Sequence, residues 1–174
     1  MLTAEPGTRD LVVGLGNPLM GDDGTGIAAL ERLRDAYDVP DEVELADGGT
    51  WGMNLLPMIE DARRVLFLDA IRAGKAPGES AILRDDEIPR ALTVKLSPHQ
   101  VDLRDVLAAA QLCGAVPATM VAIGLEPGEV EMGVGLTPAV ADRLDQLVIM
   151  AVQQLRAWGH ECRAREPGGS ASGA

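Results

Sequence analysis

The stretch that decides the fold is Leu11-Val-Val-Gly-Leu-Gly-Asn-Pro-Leu-Met-Gly-Asp-Asp-Gly24. Its first five residues form a short apolar run typical of a buried strand, and the turn-forming sequence Gly16-Asn17-Pro18 ends that run. Apolar side chains then recur at helical spacing, at Ile27, Leu30, Leu33 and Tyr37. A strand, a glycine-rich loop and a helix in this order predict the opening of a βα unit.

Outward from this unit, short apolar runs alternate with helical patterns. Further strands are predicted at 43–46, 65–68, 81–83, 93–96 and 120–123, and helices at 53–59, 103–110 and 140–155. Gly114 is expected to end the second of these helices, and Thr137 is expected to cap the third, with Pro138 at its first position. The alternation predicts an α/β fold with a largely parallel sheet. We expect one domain over residues 1–160 and a disordered tail over 161–174, because the last residues are rich in Gly, Ser and Ala.

Composition narrows the function classes. The 174 residues are 47% hydrophobic and 24% charged, which is typical of a soluble globular protein. The net charge of −12 and an aromatic content of 2% argue against binding to nucleic acid or to an anionic membrane surface. The sequence has two distant cysteines, an N-terminus unlike a signal peptide, and no apolar stretch of membrane-spanning length. We therefore expect a cytoplasmic protein, and nothing in the sequence demands more than a monomer.

Three side chains of metal-ligand type lie just beyond predicted strand ends: Asp23, Asp69 and His99. Because ligands gather at the carboxyl ends of parallel strands, the three are expected to lie near one another. Oxygen and nitrogen donors suit borderline divalent metals, and three protein ligands leave coordination positions open. Each residue also has a structural interpretation. Asp23, or its neighbour Asp22, would cap the following helix, Asp69 would cap a loop, and His99 would be an ordinary loop histidine.

Several common sites are excluded by their motifs. Leu19 occupies the third glycine position of a dinucleotide-binding fingerprint, and Asp22-Asp23 stand where a P-loop has Lys and Ser or Thr. The sequence has no His-Glu-x-x-His or Gly-x-Ser-x-Gly motif, which argues against a zincin or a serine hydrolase of the usual type. His160, the second histidine, follows Gly159 near the tail and is expected to be a solvated surface residue.

The motifs together resemble the nickel–iron hydrogenase maturation endopeptidases. The resemblance rests on the loop of residues 14–24, the strand ending in Asp69, and Ser97-Pro98-His99 before a Leu-rich helix. It extends to Asp47-Gly-Gly-Thr50, Gly124-Leu-Glu-Pro127 and Gly135-Leu-Thr-Pro138, and so covers about residues 11–155.

The resemblance implies a three-layer α/β/α sandwich with a twisted, mostly parallel five-stranded sheet. It implies an endopeptidase that removes the C-terminal extension of the hydrogenase large-subunit precursor after nickel insertion. The metal-contacting and catalytic residues would be Asp23, Asp69 and His99, and the nickel would arrive inside the precursor. Many family members have Glu at the position of Asp23. The Asp47–Thr50 loop corresponds to the segment thought to recognise the precursor.

Two other functions fit parts of the sequence. Peptidyl-tRNA hydrolases open with a similar strand and loop, but the segment that follows that loop in their family is not present after Gly24, and the acidic charge does not suit tRNA. A non-catalytic metal-sensing module could use the same three ligands, because no unambiguous nucleophile is visible. Only a cleavage assay separates this module from a protease.

Overall fold

The computed structural model describes residues 7–49, 52–91 and 103–166. In chain order its elements are β1 (Arg9–Leu15), α1 (Thr25–Ala36), β2 (Tyr37–Asp38), β3 (Val43–Gly49), α2 (Leu56–Glu60), β4 (Ala62–Ala70), β5 (Ser80–Arg84), α3 (Ile88–Ala91), α4 (Leu103–Cys113), β6 (Thr119–Leu125), α5 (Pro138–Ala141), α6 (Leu144–Ala157) and β7 (Arg163–Ala164). Short 3-10 helices cover Gly21–Gly24, Gly52–Leu55 and Asp85–Glu87.

Five of these strands form one sheet in the order β3-β1-β4-β6-β5. The first four are parallel, and β5 pairs antiparallel with β6 at the edge. The predicted α/β fold with a mostly parallel five-stranded sheet is therefore confirmed. The chain leaves β1 toward β3 and then returns to β4 on the other side of β1, so the switch point of this sheet lies between β1 and β4. Ligands of parallel sheets bind in the crevice at such a point.

Successive side chains of each strand point to opposite faces of the sheet, so the hydrophobic core is divided between the two faces. In β1, Val13 belongs to a cluster with residues of α2 and α4, whereas Val12 belongs to a cluster with α1 and α6. Phe67, the largest fully buried side chain, lies in the first cluster. Burial of each such side chain stabilises the fold by about 1.5–3 kcal/mol. Helices thus cover both faces, as the three-layer prediction required.

The predicted end of α4 at Gly114 is also confirmed. Gly114 has φ +69°, which favours glycine, and its N–H donates to the Gln111 carbonyl at 3.1 Å. The N–H of Ala115 donates to the Ala110 carbonyl at 3.0 Å. This pair of bonds is a Schellman motif, which satisfies carbonyls that the helix end would otherwise leave unpaired. No helix within the described ranges has both the length and the apolar character needed to cross a membrane.

Two predictions in the C-terminal part need correction. The helix expected over 140–155 is divided into α5 and α6. Thr137 occupies the predicted N-cap position of α5, with Pro138 beginning the helix, but the Thr137 side chain makes no capping hydrogen bond. The tail predicted from residue 161 is wrong for its first residues. Cys162 is buried, and β7 pairs with β2. Residues 167–174 and the strand predicted at 93–96 lie outside the described residues.

The interpretation of His160 as a solvated residue is also wrong, because its side chain is only 9% exposed and contacts a buried acid. That acid is Asp10, whose carboxylate has no exposed surface. His160 Nε2 lies 2.6 Å from Asp10 Oδ2, and Arg63 donates to both carboxylate oxygens at 3.0 Å. Arg64 also pairs with Asp10, donates to the Trp158 carbonyl at 2.9 Å, and lies over the Trp158 ring. This cluster joins the amino ends of β1 and β4 to the end of α6, opposite the carboxyl ends that form the switch point.

Burial alone would raise the pKa of Asp10, but the hydrogen bonds from Arg64, Arg63 and His160 outweigh it, and the pKa lies well below its usual range. A carboxyl with a depressed folded-state pKa stabilises the fold above its unfolded pKa, and this stabilisation is lost as the pH falls. We therefore expect Asp10→Asn to lower the free energy of unfolding by about 3 kcal/mol at pH 7. The deficit should shrink below about pH 4, near the unfolded pKa of an aspartate. Urea unfolding across this pH range measures both effects.

The matched control is Asp38→Asn, which removes the exposed partner of Arg165. Its cost should be below about 1 kcal/mol, since exposed ion pairs contribute little. Equal costs for the two variants would contradict the assignment of Asp10 as the central charge of this cluster.

Candidate functional site

The loop after β1 holds the first candidate acid in place. Gly16 has φ +104°, and a Cβ there would lie 1.8 Å from the Asp23 carbonyl oxygen, so only glycine fits. The Asn17 N–H donates to Asp23 Oδ2 at 2.8 Å, and Asn17 Oδ1 accepts from the Leu19 N–H at 3.0 Å. The strand-ending turn predicted from Gly16-Asn17-Pro18 therefore also fixes the Asp23 carboxylate.

Asp69 lies near the end of β4, the strand next to β1. Its Oδ1 accepts from the N–H of Ala70 at 2.8 Å. On the neighbouring strand, a Cβ at Gly124 would lie 2.3 Å from the Asp69 carbonyl oxygen, so β6 requires glycine beside it. Asp69 itself is half-buried.

A third glycine brings the two acids to the same place. A Cβ at Gly26, in the first turn of α1, would lie 2.0 Å from the Leu68 carbonyl oxygen and 2.4 Å from the Leu15 carbonyl oxygen. The helix therefore begins directly on the carboxyl ends of β1 and β4, and the 3-10 helix that carries Asp23 contacts β4. The prediction that strand ends bring Asp23 and Asp69 together agrees with this geometry.

The electrostatics of the pair differ from those of ordinary surface acids. Burial raises the pKa of Asp69 to about 8, and the charge of Asp23 adds to this effect while the Ala70 N–H opposes it. Burial also raises the pKa of Asp23, against the opposing effects of the Asn17 N–H and the Arg72 charge. The exposed Arg72 is not among the site residues predicted from the sequence. Two carboxyl groups with raised pKa values at a sheet crevice form a candidate functional site.

The donor chemistry of this pair fits a divalent cation. Carboxylate oxygens are suitable ligands, and a cation would offset both the burial and the mutual repulsion that disfavour ionisation. His99, the third predicted ligand, lies outside the described residues. Among the residues that the structure does describe, no three His, Cys, Asp or Glu side chains are grouped as a metal site. The described part of the site thus supplies two acids, Asp23 and Asp69, as candidate metal ligands.

Asp22, adjacent to Asp23 in the chain, does not have the helix-capping role predicted for it. Its carboxylate is fully buried and binds the loop after β6, where it accepts from the N–H groups of Gly128, Glu129 and Thr137 at 2.7–3.1 Å. The Thr137 hydroxyl donates to it as well, at 2.8 Å. Burial would raise the pKa of Asp22, but these bonds prevail and lower it.

Neither acid caps α1, since Gly24 occupies the N-cap position and both carboxylates bond elsewhere. Sequence reasoning missed the long-range partner of Asp22 because the two segments are more than a hundred residues apart. Thr137 is singled out by the sequence as a helix cap, and its hydroxyl binds Asp22 instead.

The segment that the resemblance assigns to precursor recognition begins inside a strand. β3 continues through Asp47 to Gly49, and its register against β1 shifts between Gly14 and Leu15. The Asp47 side chain is exposed at the crevice end of this edge strand. Thr50 lies outside the described residues.

Comparison with known proteins finds hydrogenase maturation proteases. The family model described as hydrogenase maturation protease matches residues 27–154. The chain is 43% identical over 155 residues to the hydrogenase expression/formation protein HupD of Rhodobacter capsulatus, covering 88% of this chain and 74% of that protein. It is 40% identical over 159 residues to the hydrogenase 2 maturation protease of Escherichia coli, covering 91% and 97%.

Solved structures of hydrogenase maturation proteases are also similar to this chain. The hydrogenase maturating endopeptidase HybD from E. coli superimposes with a TM-score of 0.84 at 39% identity, and the match covers 90% of this chain and 98% of that one. A HycI maturation protease from Thermococcus kodakarensis superimposes with a TM-score of 0.67 at 26% identity, covering 86% and 93%.

The raised pKa of Asp69 makes stability depend on pH. The folded state keeps a proton that the unfolded chain releases above about pH 4, so the free energy of unfolding falls as the pH rises toward 8. Asp69→Asn removes this cost. We expect the variant to exceed the wild type by at least about 1 kcal/mol at pH 8, the value of one pKa unit, and by less at pH 4. Asp41→Asn, at an exposed acid, serves as control, and a gain independent of pH would contradict the assignment.

The two neighbouring acids should respond differently to the same substitution. Asp22→Asn replaces an acceptor oxygen by an amide donor facing N–H groups, and it should lower the free energy of unfolding by about 2 kcal/mol. Amide exchange at Gly128, Glu129 and Thr137 should accelerate with it. Asp23→Asn is the matched control and should change stability by less than half as much. Unchanged exchange at these three amides in Asp22→Asn would refute the role given to Asp22.

Proposed function

The chain belongs to the hydrogenase maturation protease family, and on that premise we propose that it removes the C-terminal extension of a nickel–iron hydrogenase large-subunit precursor after nickel insertion. The observation that carries the proposal for the site is the pair Asp23 and Asp69 at the switch point of the sheet. These two acids lie close enough for the charge of one to raise the pKa of the other. We infer that the reaction takes place in the cytoplasm.

In this proposal nickel is part of the substrate. Asp23, Asp69 and His99 would bind the nickel already seated in the precursor, and a precursor without it would not be held in register for cleavage. The support from the structure is the pair of carboxyl groups, because burial disfavours both as anions. Within the described ranges each accepts one hydrogen bond, from the Asn17 N–H and from the Ala70 N–H. Asp22, with four hydrogen bonds to its carboxylate, has no need of such a partner.

The same acids would serve the peptide-bond chemistry. Hydrolysis needs a water molecule to be oriented and deprotonated as it attacks the scissile carbonyl, and a carboxylate within reach can accept that proton. Asn17 would hold Asp23 in a fixed orientation during the reaction through its N–H. The protein thus supplies placement and proton transfer.

The proposal is tested with the cognate precursor, prepared with and without nickel, and intact-mass analysis of each after incubation. We expect loss of a short C-terminal peptide from the loaded sample alone. Cleavage of both samples would retain the protease and reject nickel recognition. If the precursor binds and neither sample loses mass, the chain is a non-catalytic binding module.

Site variants make the assignment specific. His99→Ala, Asp23→Asn and Asp69→Asn should each reduce the single-turnover cleavage rate at least about 100-fold, as expected for loss of a group that handles protons or binds substrate. The matched controls are His160→Gln and Asp38→Asn, which alter the same residue types near the amino ends of β1 and β4 and on the surface. Both controls should cleave at the wild-type rate below their unfolding temperatures. Full activity in His99→Ala would remove that residue from the site.

A further inference from the structure

Three large apolar side chains are exposed beside the candidate site. Leu19 is 61% exposed, Met132 90% and Val134 88%. They lie on two segments joined by backbone hydrogen bonds, in which the Gly133 N–H donates to the Leu19 carbonyl and the Gly21 N–H donates to the Gly133 carbonyl, both at 2.9 Å. Met20 and Gly133 therefore form a parallel bridge, and the three apolar residues flank it. We call this surface the apolar ledge.

The ledge is held in a fixed conformation. Two residues beyond the bridge, the buried Asp22 carboxylate binds the loop that carries Met132 and Val134 at both of its ends, at Gly128 and Thr137. The Asp22 N–H also donates to the Glu129 carbonyl at 2.9 Å. A loop with this many internal bonds exposes its apolar side chains without the entropy cost of ordering them on binding. Clustered apolar exposure of this kind marks a surface that binds a partner.

The ledge is continuous with the proposed catalytic residues. Asn17 contacts both, since its N–H donates to Asp23 and its side-chain oxygen accepts from Leu19. A polypeptide that placed a peptide bond at Asp23 would pass beside Leu19. The exposed Glu129 and Glu131 lie on the same loop as Met132, so the ledge has an acidic margin.

We propose that the apolar ledge binds a segment of the precursor next to its cleavage position, and that this segment is apolar with basic side chains beside it. The inference rests on the proposed function and specifies its partner. The acidic margin selects a basic partner over a second copy of this chain, because a symmetric contact would bring Glu129 and Glu131 of both copies together. The overall charge of −12 favours the same choice.

The test replaces the three ledge residues by serine, as L19S/M132S/V134S, and measures two quantities with the nickel-loaded precursor: the Kd and the steady-state constants of cleavage. We expect the Kd and the KM to rise at least about tenfold, the scale for apolar contacts of this size, with kcat within about twofold. The melting temperature should change little, since these side chains are largely exposed. Leu112→Ser is the matched control. Leu112 is 91% exposed and lies at the end of α4, which leads to the amino end of β6. This variant should leave the Kd and the KM unchanged.

The acidic margin is tested separately with E129Q/E131Q. This variant should raise the Kd at low salt and flatten its salt dependence, because it removes the charges that attract a basic segment. E42Q/E44Q changes the net charge equally at exposed acids near the amino end of β3 and should not have this effect.

The outcomes separate the two proposals. If the wild type binds the precursor but does not cut it, the proposed function fails, and the Kd of the triple variant still decides the ledge. If the wild type cuts it and the triple variant retains both Kd and KM, the ledge proposal is overturned. Sedimentation showing a wild-type dimer that the triple variant loses would assign the ledge to a second copy and overturn it as well.

Discussion

The contact on which the site depends is the close approach of α1 to the carboxyl ends of β1 and β4. It is possible only because Gly26 has no side chain where the Leu15 and Leu68 carbonyl oxygens lie. Gly14 extends the contact, since a Cβ there would lie 2.7 Å from the Gly26 carbonyl oxygen. Any larger residue would lift the helix away from the sheet and carry the preceding turn with it. The distance between the two candidate acids is therefore set by backbone packing rather than by their own side chains.

Two adjacent aspartates show how environment divides one residue type between structure and chemistry. Asp22 receives four hydrogen bonds, so its charge is stabilised and its pKa is lowered although it is fully buried. Within the residues that the structure describes, Asp23 receives one, from Asn17, and its pKa is raised. The hydrogen-bonding capacity of Asp22 is satisfied within the protein, and its carboxylate fixes the loop after β6. That of Asp23 is incompletely satisfied, which is the property expected of a group that binds something else.

The fold could be predicted from the sequence wherever the signal was local. The apolar run 11–15, the glycine at 114 and the acid at the end of the run 65–68 each depend on neighbours within a few residues, and the structure agrees with them. Family motifs then supplied the layer arrangement that periodicity alone left open. The errors share a different cause. The hydroxyl of Thr137 and the ring of His160 both turn to acids more than a hundred residues away, and no local pattern indicates such a partner. The metal-binding and catalytic roles of Asp23, Asp69 and His99 stay predictions, because they involve a substrate that is not part of this structure.

The cluster around Asp10 has a consequence for the order in which the molecule assembles during synthesis. Asp10 is among the first residues of β1, whereas His160 and Trp158 follow α6 at the other end of the domain. A growing chain that ends before residue 144 lacks both the imidazole beside Asp10 and α6, which packs with α1 on one face of the sheet. The sheet consequently gains these last contacts only when nearly all of residues 7–166 have been synthesised. The domain therefore completes its fold only after every strand of the five-stranded sheet has been synthesised.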